Sequence, residues 1–383
     1  MHGIDFSGYT DWRLPENRIE AFSRICHVRM VEGDLDHHHV GRVVTDQMRL
    51  SDDDKVLYAL IFSQSYRNHV AMITLQLFPE LLKVSNDRIV EWHDQNWQRL
   101  KFAKDTKWGV RKFPAFIESI RTRFGTSGLY EKFRDISNSG TTKENYYRLN
   151  SELQSLFGMG RMTAWLAQQT LYEFFGWDID YWDQQLYDTA TWSQWGALAY
   201  LFNRPDLLDK STQKNNTNVK VMEDYTIHLM EYVNEKINFH VDIYNIESCE
   251  CEFRKTAQKN PPREYTGWTS QELLKEFPDL LEAWSGINID WDPYITGFMT
   301  KGKNVLETGC SPEYFPIFQD TGLNLNTHWI YKDEPDAFKL LGITRKHSDG
   351  KLLMDSMWKK SHSVAEQKKL RTQYNPTNFL KYK

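Results

Sequence analysis

The chain has 383 residues, 40% hydrophobic and 14% aromatic, with a net charge of −5; this excludes an intrinsically disordered chain and allows one large domain or two ordinary ones. Four cysteines in this length argue against a disulfide framework and for a reducing compartment. No apolar run approaches the ~18 residues of a membrane span, and the Met1-His2-Gly3-Ile4-Asp5 start lacks the basic and apolar regions of a signal peptide.

In chain order, "DHHH" (36–39) is expected to be a surface loop, since neighbouring histidines cannot all face one metal ion. Residues 50–78 read as a helix with Ser51 as N-cap, acids in the first turn and a broad apolar stripe. Residues 99–123 hold eight basic against two acidic residues, net +6, and 345–383 hold ten against three, net +7; the remainder therefore carries −18. Such polarity suits either two tracks for a phosphate backbone or two solvated helix faces. The many rings, 14 Trp, 19 Tyr and 21 Phe, fit either an aromatic core or stacking platforms for bases.

Helical patterns over 145–157 and 161–175 flank Gly158-Met159-Gly160, giving helix, tight hairpin, helix. Looser connections are expected near 204–218 and 256–268. "NVKVMEDYTIHLM" (218–230) reads equally as strand or helix, while "NFHVDIYNIE" (238–247) is the better strand candidate. "SQELLKEF" and "DLLEAW" look helical, with Ser270 before an acidic first turn. "GFMTKGKN" (297–304) has Asn304 where a phosphate-binding loop needs Ser or Thr. The basic tail 343–383 is expected to be partly irregular. The chain is thus mainly α with few short strands.

The order Leu156-Phe157-Gly158-Met159-Gly160-Arg161-Met162-Thr163-Ala164 resembles the hairpin of helix-hairpin-helix DNA glycosylases. Glycines there let backbone N–H groups approach a phosphate, and the next helix adds its N-terminal dipole. Gly158, Gly160, Arg161 and Thr163 are the DNA-binding candidates. The glycosylase pattern continues with a glycine and, seven residues on, a catalytic Asp; here Gly176 and Asp183 fit, with Asp178 and Asp180 as competitors. Met162 replaces the lysine of lyase-type enzymes, so the resemblance implies no Schiff-base chemistry, and the iron–sulfur cysteine pattern is missing.

"ESCECEFRK" (247–255) with "REYTGW" (263–268) resembles a motif of the phage alpha-glutamyl/putrescinyl thymine pyrophosphorylases, or amino acid:DNA transferases. Its positions fall on Glu247, Cys251, Phe253, Arg254, Lys255, Arg263, Tyr265 and Gly267. "VVTDQMRLSDDDKVLYALIFSQSYRNH" looks like the family's Thr-Asp segment and F-x-N-x-x-R-type helix, with Gln64 departing from the Asn and Tyr66-Arg67 matching. The resemblance spans roughly 20–270. It implies a helical core related to the DNA glycosylases over 1–270, containing the helix-hairpin-helix (145–183), and leaves 271–383 as an accessory region with a basic tail.

The implied reaction displaces pyrophosphate from 5-(pyrophosphoryloxymethyl)uracil in double-stranded DNA by an amine, an amino acid or polyamine. The base would be flipped out of the duplex. Asp183, Glu247, Arg254, Lys255 and Arg67 are the catalytic candidates; Cys251, Phe253, Arg263 and Tyr265 are the substrate-binding ones. No metal or other cofactor is required, although Mg²⁺ can accompany pyrophosphate. The expected setting is the cytoplasm of an infected bacterial host, with no membrane partner. The competing expectations are a glycosylase acting on a modified base and a non-enzymatic DNA-binding protein.

Overall fold

A computed structural model of the chain describes residues 15–20, 22–23, 26, 37–100, 112–188, 191–257, 277–299, 345–346 and 352–353. The principal helices are α1 (His37–Gln47), α2 (Asp52–Ser65), α3 (Asn68–Leu77), α4 (Asn86–Asn96), α5 (Phe113–Phe124), α6 (Leu129–Ser137) and α7 (Thr142–Gln154). They continue with α8 (Arg161–Phe175), α9 (Trp192–Leu201), α10 (Asn216–Ile237), α11 (Ile243–Ala257), α12 (Phe277–Ala283) and α13 (Asp292–Met299). Among the described residues the β structure is one antiparallel pair, β1 (Arg345–Lys346) with β2 (Leu352–Leu353). The protein is mainly α. The basic segment 101–111, "SQELLKEF" apart from its final Phe277, the P-loop-like stretch beyond Met299 and most of the tail lie outside the described residues.

The chain forms two compact units, one of residues 35–181 with 268–306, the other of 1–34, 182–267 and 307–383. In the first, α2 is the central element: every residue from Val56 to Ser65 is buried, as expected of a helix apolar on all sides. Ser51 caps its start, its hydroxyl accepting from Asp54 N at 3.2 Å. The apolar run 50–78 is two helices rather than one, because Tyr66 adopts a left-handed conformation (φ 53°) that ends α2 before α3 begins. Just beyond the break, Asn68 is fully buried and joins three helices. It accepts from the Tyr58 hydroxyl at 2.9 Å and donates to the His37 carbonyl at 3.0 Å.

That junction also corrects the expectation for "DHHH". His37 and His38 are buried on α1 instead of lying in a surface loop, and His38 Nδ1 is 2.9 Å from the Thr170 hydroxyl of α8. Gly41 lets α1 come this close, since a Cβ there would stand 2.9 Å from Asn68 Oδ1. On α1's other flank, a Cβ at Gly297 of α13 would meet Val40 and Val44 at 3.0 Å. Close helix approach at these glycines leaves no room for a methyl group.

Helices α7 and α8 are locked by a buried amide ladder. Asn150 donates to Gln168 Oε1 at 2.8 Å, and Gln168 donates to the Tyr146 carbonyl at 2.9 Å. Thr141 and Glu144 form a reciprocal capping box at the start of α7. The basic stretch ending at Arg123 is partly consumed inside the fold. Arg121 Nε donates to the Leu82 carbonyl at 3.0 Å, and Arg123 pairs with Glu152 through two hydrogen bonds of 2.8 and 2.9 Å.

In the second unit α9, α10 and α11 pack together. Arg18, fully buried, donates to the Tyr200 carbonyl at 2.8 Å with its guanidinium 3.9 Å over the Tyr200 ring. The ambiguous 218–230 stretch belongs to α10. The strand expected over 238–247 is a helix start instead. Asp242 accepts from Asn245 N at 2.8 Å as a cap, and Ile243, Ile246, Glu250 and Phe253 then follow at helical spacing on a buried face.

One carboxylate serves two helices in the first unit. Asp53, in the first turn of α2, accepts from Gly128 N at 2.8 Å and Tyr130 N at 2.7 Å at the start of α6. Asp53→Ala should therefore destabilise the chain by about 1–2 kcal/mol, read as a lower urea midpoint with an unchanged m value.

Candidate active-site helix and the glycine turn

The glycine turn lies in the first unit. Leu156 and Met159 are buried and anchor it, Met159 Sδ lying 4.0 Å from the Ser63 hydroxyl of α2. Phe157 N donates to the Ser119 hydroxyl at 3.0 Å. Gly158 has φ 76°, the left-handed region that glycine enters without a steric cost. Gly160 is different. It is the extended N-cap of α8 (φ −88°, ψ 178°), and a Cβ there would meet nothing within 4 Å. The fold thus needs a glycine at 158 but leaves open space beside the backbone at 160.

Arg161 is the first residue of α8, and the Thr163 hydroxyl donates to the Gly160 carbonyl at 3.0 Å. Phe157 and Met162 on either side are exposed, by 46% and 54%. The arrangement can receive an anion at the α8 N-terminus, where backbone donors and the helix dipole point outward. Arg67 belongs to the same unit, in an extended conformation at the N-cap of α3, directly after the left-handed Tyr66. Gln64, in the position that departs from the family pattern, is 1% exposed, and its amide nitrogen finds no hydrogen-bond acceptor among the described residues.

Asp178 and Asp183 have different surroundings. Asp178 is exposed and accepts from the Thr142 hydroxyl at 2.5 Å, beside the first turn of α7. Asp183 is 3% exposed and belongs to the second unit, where its Oδ1 accepts from Gln185 N at 2.6 Å. Gln185 itself is left-handed, with φ 55°. Residues 182–186 therefore form a short loop held in a sparsely populated conformation.

The other carboxylates stand on α11. Glu247 accepts a hydrogen bond from the Gln194 amide of α9. Glu250 lies one helical turn further along the same face and is fully buried. Burial, above all, pushes its carboxyl well above the usual carboxylate range; Glu247 and Cys249 push the same way, and Gln184 opposes them. One turn beyond, Arg254 donates to the Ser193 hydroxyl at 2.9 Å, and its guanidinium is 5.8 Å from the Trp192 ring centre. A Cβ at Gly196 would meet Arg254 Nε at 2.9 Å, so α9 approaches α11 along the arginine stem. Burial lowers the Arg254 pKa from its ordinary value, yet a guanidinium keeps its charge.

The remaining sequence candidates divide clearly. Cys251 is partly exposed. Phe253 is 1% exposed and packs against Phe22 and Tyr200, with ring centres 5.7 and 6.1 Å away. Lys255 lies on α11, and Arg263 and Tyr265 lie outside the described residues. The second unit thus holds Asp183, Glu247, Cys251, Phe253 and Arg254, while Arg67 and the glycine turn belong to the first. Two polar residues of the constellation, Gln184 and Glu250, escape the sequence reading. The available signal was an acid at an apolar-periodic position of α11, between Ile246 and Phe253.

Among the described residues no group of three His, Cys, Asp or Glu side chains is placed to hold a metal ion, and no helix is long and apolar enough to cross a membrane. No curated protein and no solved structure gives a significant match to the chain. Residues 44–261, more than half of the chain and including the glycine turn, the 182–186 loop and α11, match the family model of amino acid:DNA transferases, and the chain belongs to that family.

Proposed function

We propose that the chain transfers an amine, from an amino acid or polyamine, onto 5-(pyrophosphoryloxymethyl)uracil in double-stranded DNA and releases pyrophosphate. The observation that carries this reading is the pairing of carboxylates and a half-buried guanidinium on one face of α11, inside the family's matched region. The reaction needs both. A carboxylate, Glu247 or Asp183, takes a proton from the amine, whose lone pair forms the new C–N bond at the exocyclic methylene. The C–O bond to pyrophosphate breaks, and the leaving oxygen keeps the electron pair. Arg254, with Lys255 and Arg263 as further cations, balances the charge that grows there; a partly desolvated guanidinium does so more strongly than a hydrated one.

In this scheme the glycine turn acts as the hairpin of a helix-hairpin-helix and holds a DNA phosphate at Gly158, Gly160, Arg161 and Thr163 while the base is flipped out. Cys251 and Tyr265 would border the base, with Phe253 supporting α11 from the core. The reaction proceeds without a resident cofactor; Mg²⁺ can accompany the departing pyrophosphate. The setting is phage DNA in the cytoplasm of an infected bacterial host.

Duplex DNA bearing the pyrophosphorylated base, incubated with the protein and a panel of amines, should yield amine-substituted nucleosides by mass spectrometry. Unchanged pyrophosphorylated base with every amine would reject the transfer, and base-free sites would favour a glycosylase. Arg254→Ala should lower kcat by about 100-fold or more while DNA affinity stays near the wild-type value.

Gly160→Ala separates DNA contact from folding. The open space and extended backbone at Gly160 limit the folding cost to less than about 1 kcal/mol. DNA affinity should fall by about tenfold or more in a salt-dependent binding assay, because the methyl group stands where the phosphate approaches. Wild-type affinity in this variant would remove the phosphate contact from position 160.

A further inference from the structure

Glu250 has no role in the scheme above, yet it is a fully buried ionisable group of the second unit. It is 0% exposed, and Gln184 beside it is 3% exposed. Gln184 lies close enough to favour the Glu250 carboxylate, and beyond this pair no described residue hydrogen-bonds to either Glu250 oxygen or either Gln184 amide atom. The two buried side chains therefore have only each other as partners, and each polar atom that this pair leaves unmatched costs roughly 1–3 kcal/mol. Glu247, one turn away on the same face, is close enough to repel the Glu250 charge. Such a pair can take up a ligand that brings several donors and a positive charge. A primary ammonium has three donors and one positive charge.

We propose that Glu250, with Glu247 and Gln184 around it, is the subsite that receives the ammonium group of the acceptor amine and takes its proton. This deepens the transferase reading and rests on it. Gln184 favours the charged form of Glu250, as an amide N–H donating to a carboxylate does. Because burial favours the neutral acid in the empty site, binding exchanges one proton for one ammonium: Glu250 gives its proton to solvent as R–NH₃⁺ enters. A proton then passes from nitrogen to Glu250, leaving R–NH₂ with a free lone pair. The C–N bond forms, the C–O bond breaks with its electron pair on pyrophosphate, and the second nitrogen proton goes to Glu247.

The same dryness that makes Glu250 hard to ionise makes it a stronger base once ionised, which brings its proton affinity nearer to that of an amine. A carboxylate in water would be too weak a base for this work. The 182–186 loop carries Gln184 beside Glu250 and holds Gln185 in a left-handed conformation, so this loop is where the amine would enter. Trp182, 41% exposed, stands at the loop's start. Among the described residues, the side chains that shift Glu250 are Gln184, Glu247 and Cys249, none of them positively charged.

The test uses the full chain without DNA, titrated separately with glycine, L-glutamate, 1,4-diaminobutane and magnesium chloride while Tm is followed. At least one amine should raise Tm in the wild type. In Glu250→Gln the concentration needed should rise about 10- to 100-fold, the loss expected when a buried charge partner is neutralised. The same factor should appear in KM for the amine during transfer, with KM for DNA unchanged. Glu250→Gln keeps the shape and removes a buried ionisable group, so it should fold at least as stably as the wild type.

Gln184→Leu is the second variant and should weaken the amine response without removing it. Wild-type amine dependence in Glu250→Gln overturns the proposal, as does a Tm response to magnesium chloride with none to any amine. A wild type that responds to amines through Glu250 but modifies no DNA supports this subsite and rejects the transfer. A wild type that modifies DNA with an amine dependence indifferent to Glu250 does the reverse.

Discussion

Burying polar side chains in a helical core is the constraint on which this structure depends. A helix satisfies its own backbone, so a polar side chain carried inside must find a partner on another element or remain a cost. In the first unit that requirement sets the architecture. Asn68 holds the Tyr58 hydroxyl and the His37 carbonyl, and Asn150 with Gln168 and the Tyr146 carbonyl joins α7 to α8. These bonds fix the register of helices whose apolar faces alone would tolerate sliding.

The second unit meets the same constraint differently. Arg18 and Gln194 find partners on other elements, whereas Gln184 and Glu250 have no described partner beyond each other. That exception coincides with the left-handed Gln185, with the hydrogen bond that closes Asp183 onto its own loop, and with the carboxylates and arginine of α11. Strain and unsatisfied polarity gathered in one place are what a scaffold tolerates where it binds something. The family match spans these elements.

The two glycines of the turn show how one sequence signal carries two physical demands. Gly158 is required by its own backbone, since φ 76° strains any residue with a Cβ. Gly160 is compatible with other residues as far as this fold is concerned, because its backbone is extended and its surroundings are open. What the fold asks of position 160 is only the mild N-cap preference for glycine over alanine.

The sequence by itself determined the helical class, the Ser51 cap, the span of α8 and the turn before it, because these depend on local spacing, capping chemistry and the freedom of glycine. It also marked Glu247 and Arg254 through their motif. Local pattern misread "NFHVDIYNIE", where a short alternation hid the Asp242 cap and a helical period, and it read 50–78 as one helix because Tyr66 gives no breaker signal. It placed His37 and His38 on the surface because neither a buried partner such as Thr170 nor the close approach at Gly41 is visible in local sequence. Only the tertiary structure decided that Glu250 is buried and that Gln184, 66 positions earlier in the chain, stands beside it. Burial and proton affinity are set by what other elements place around a side chain, and one acid in an apolar face does not reveal its neighbours.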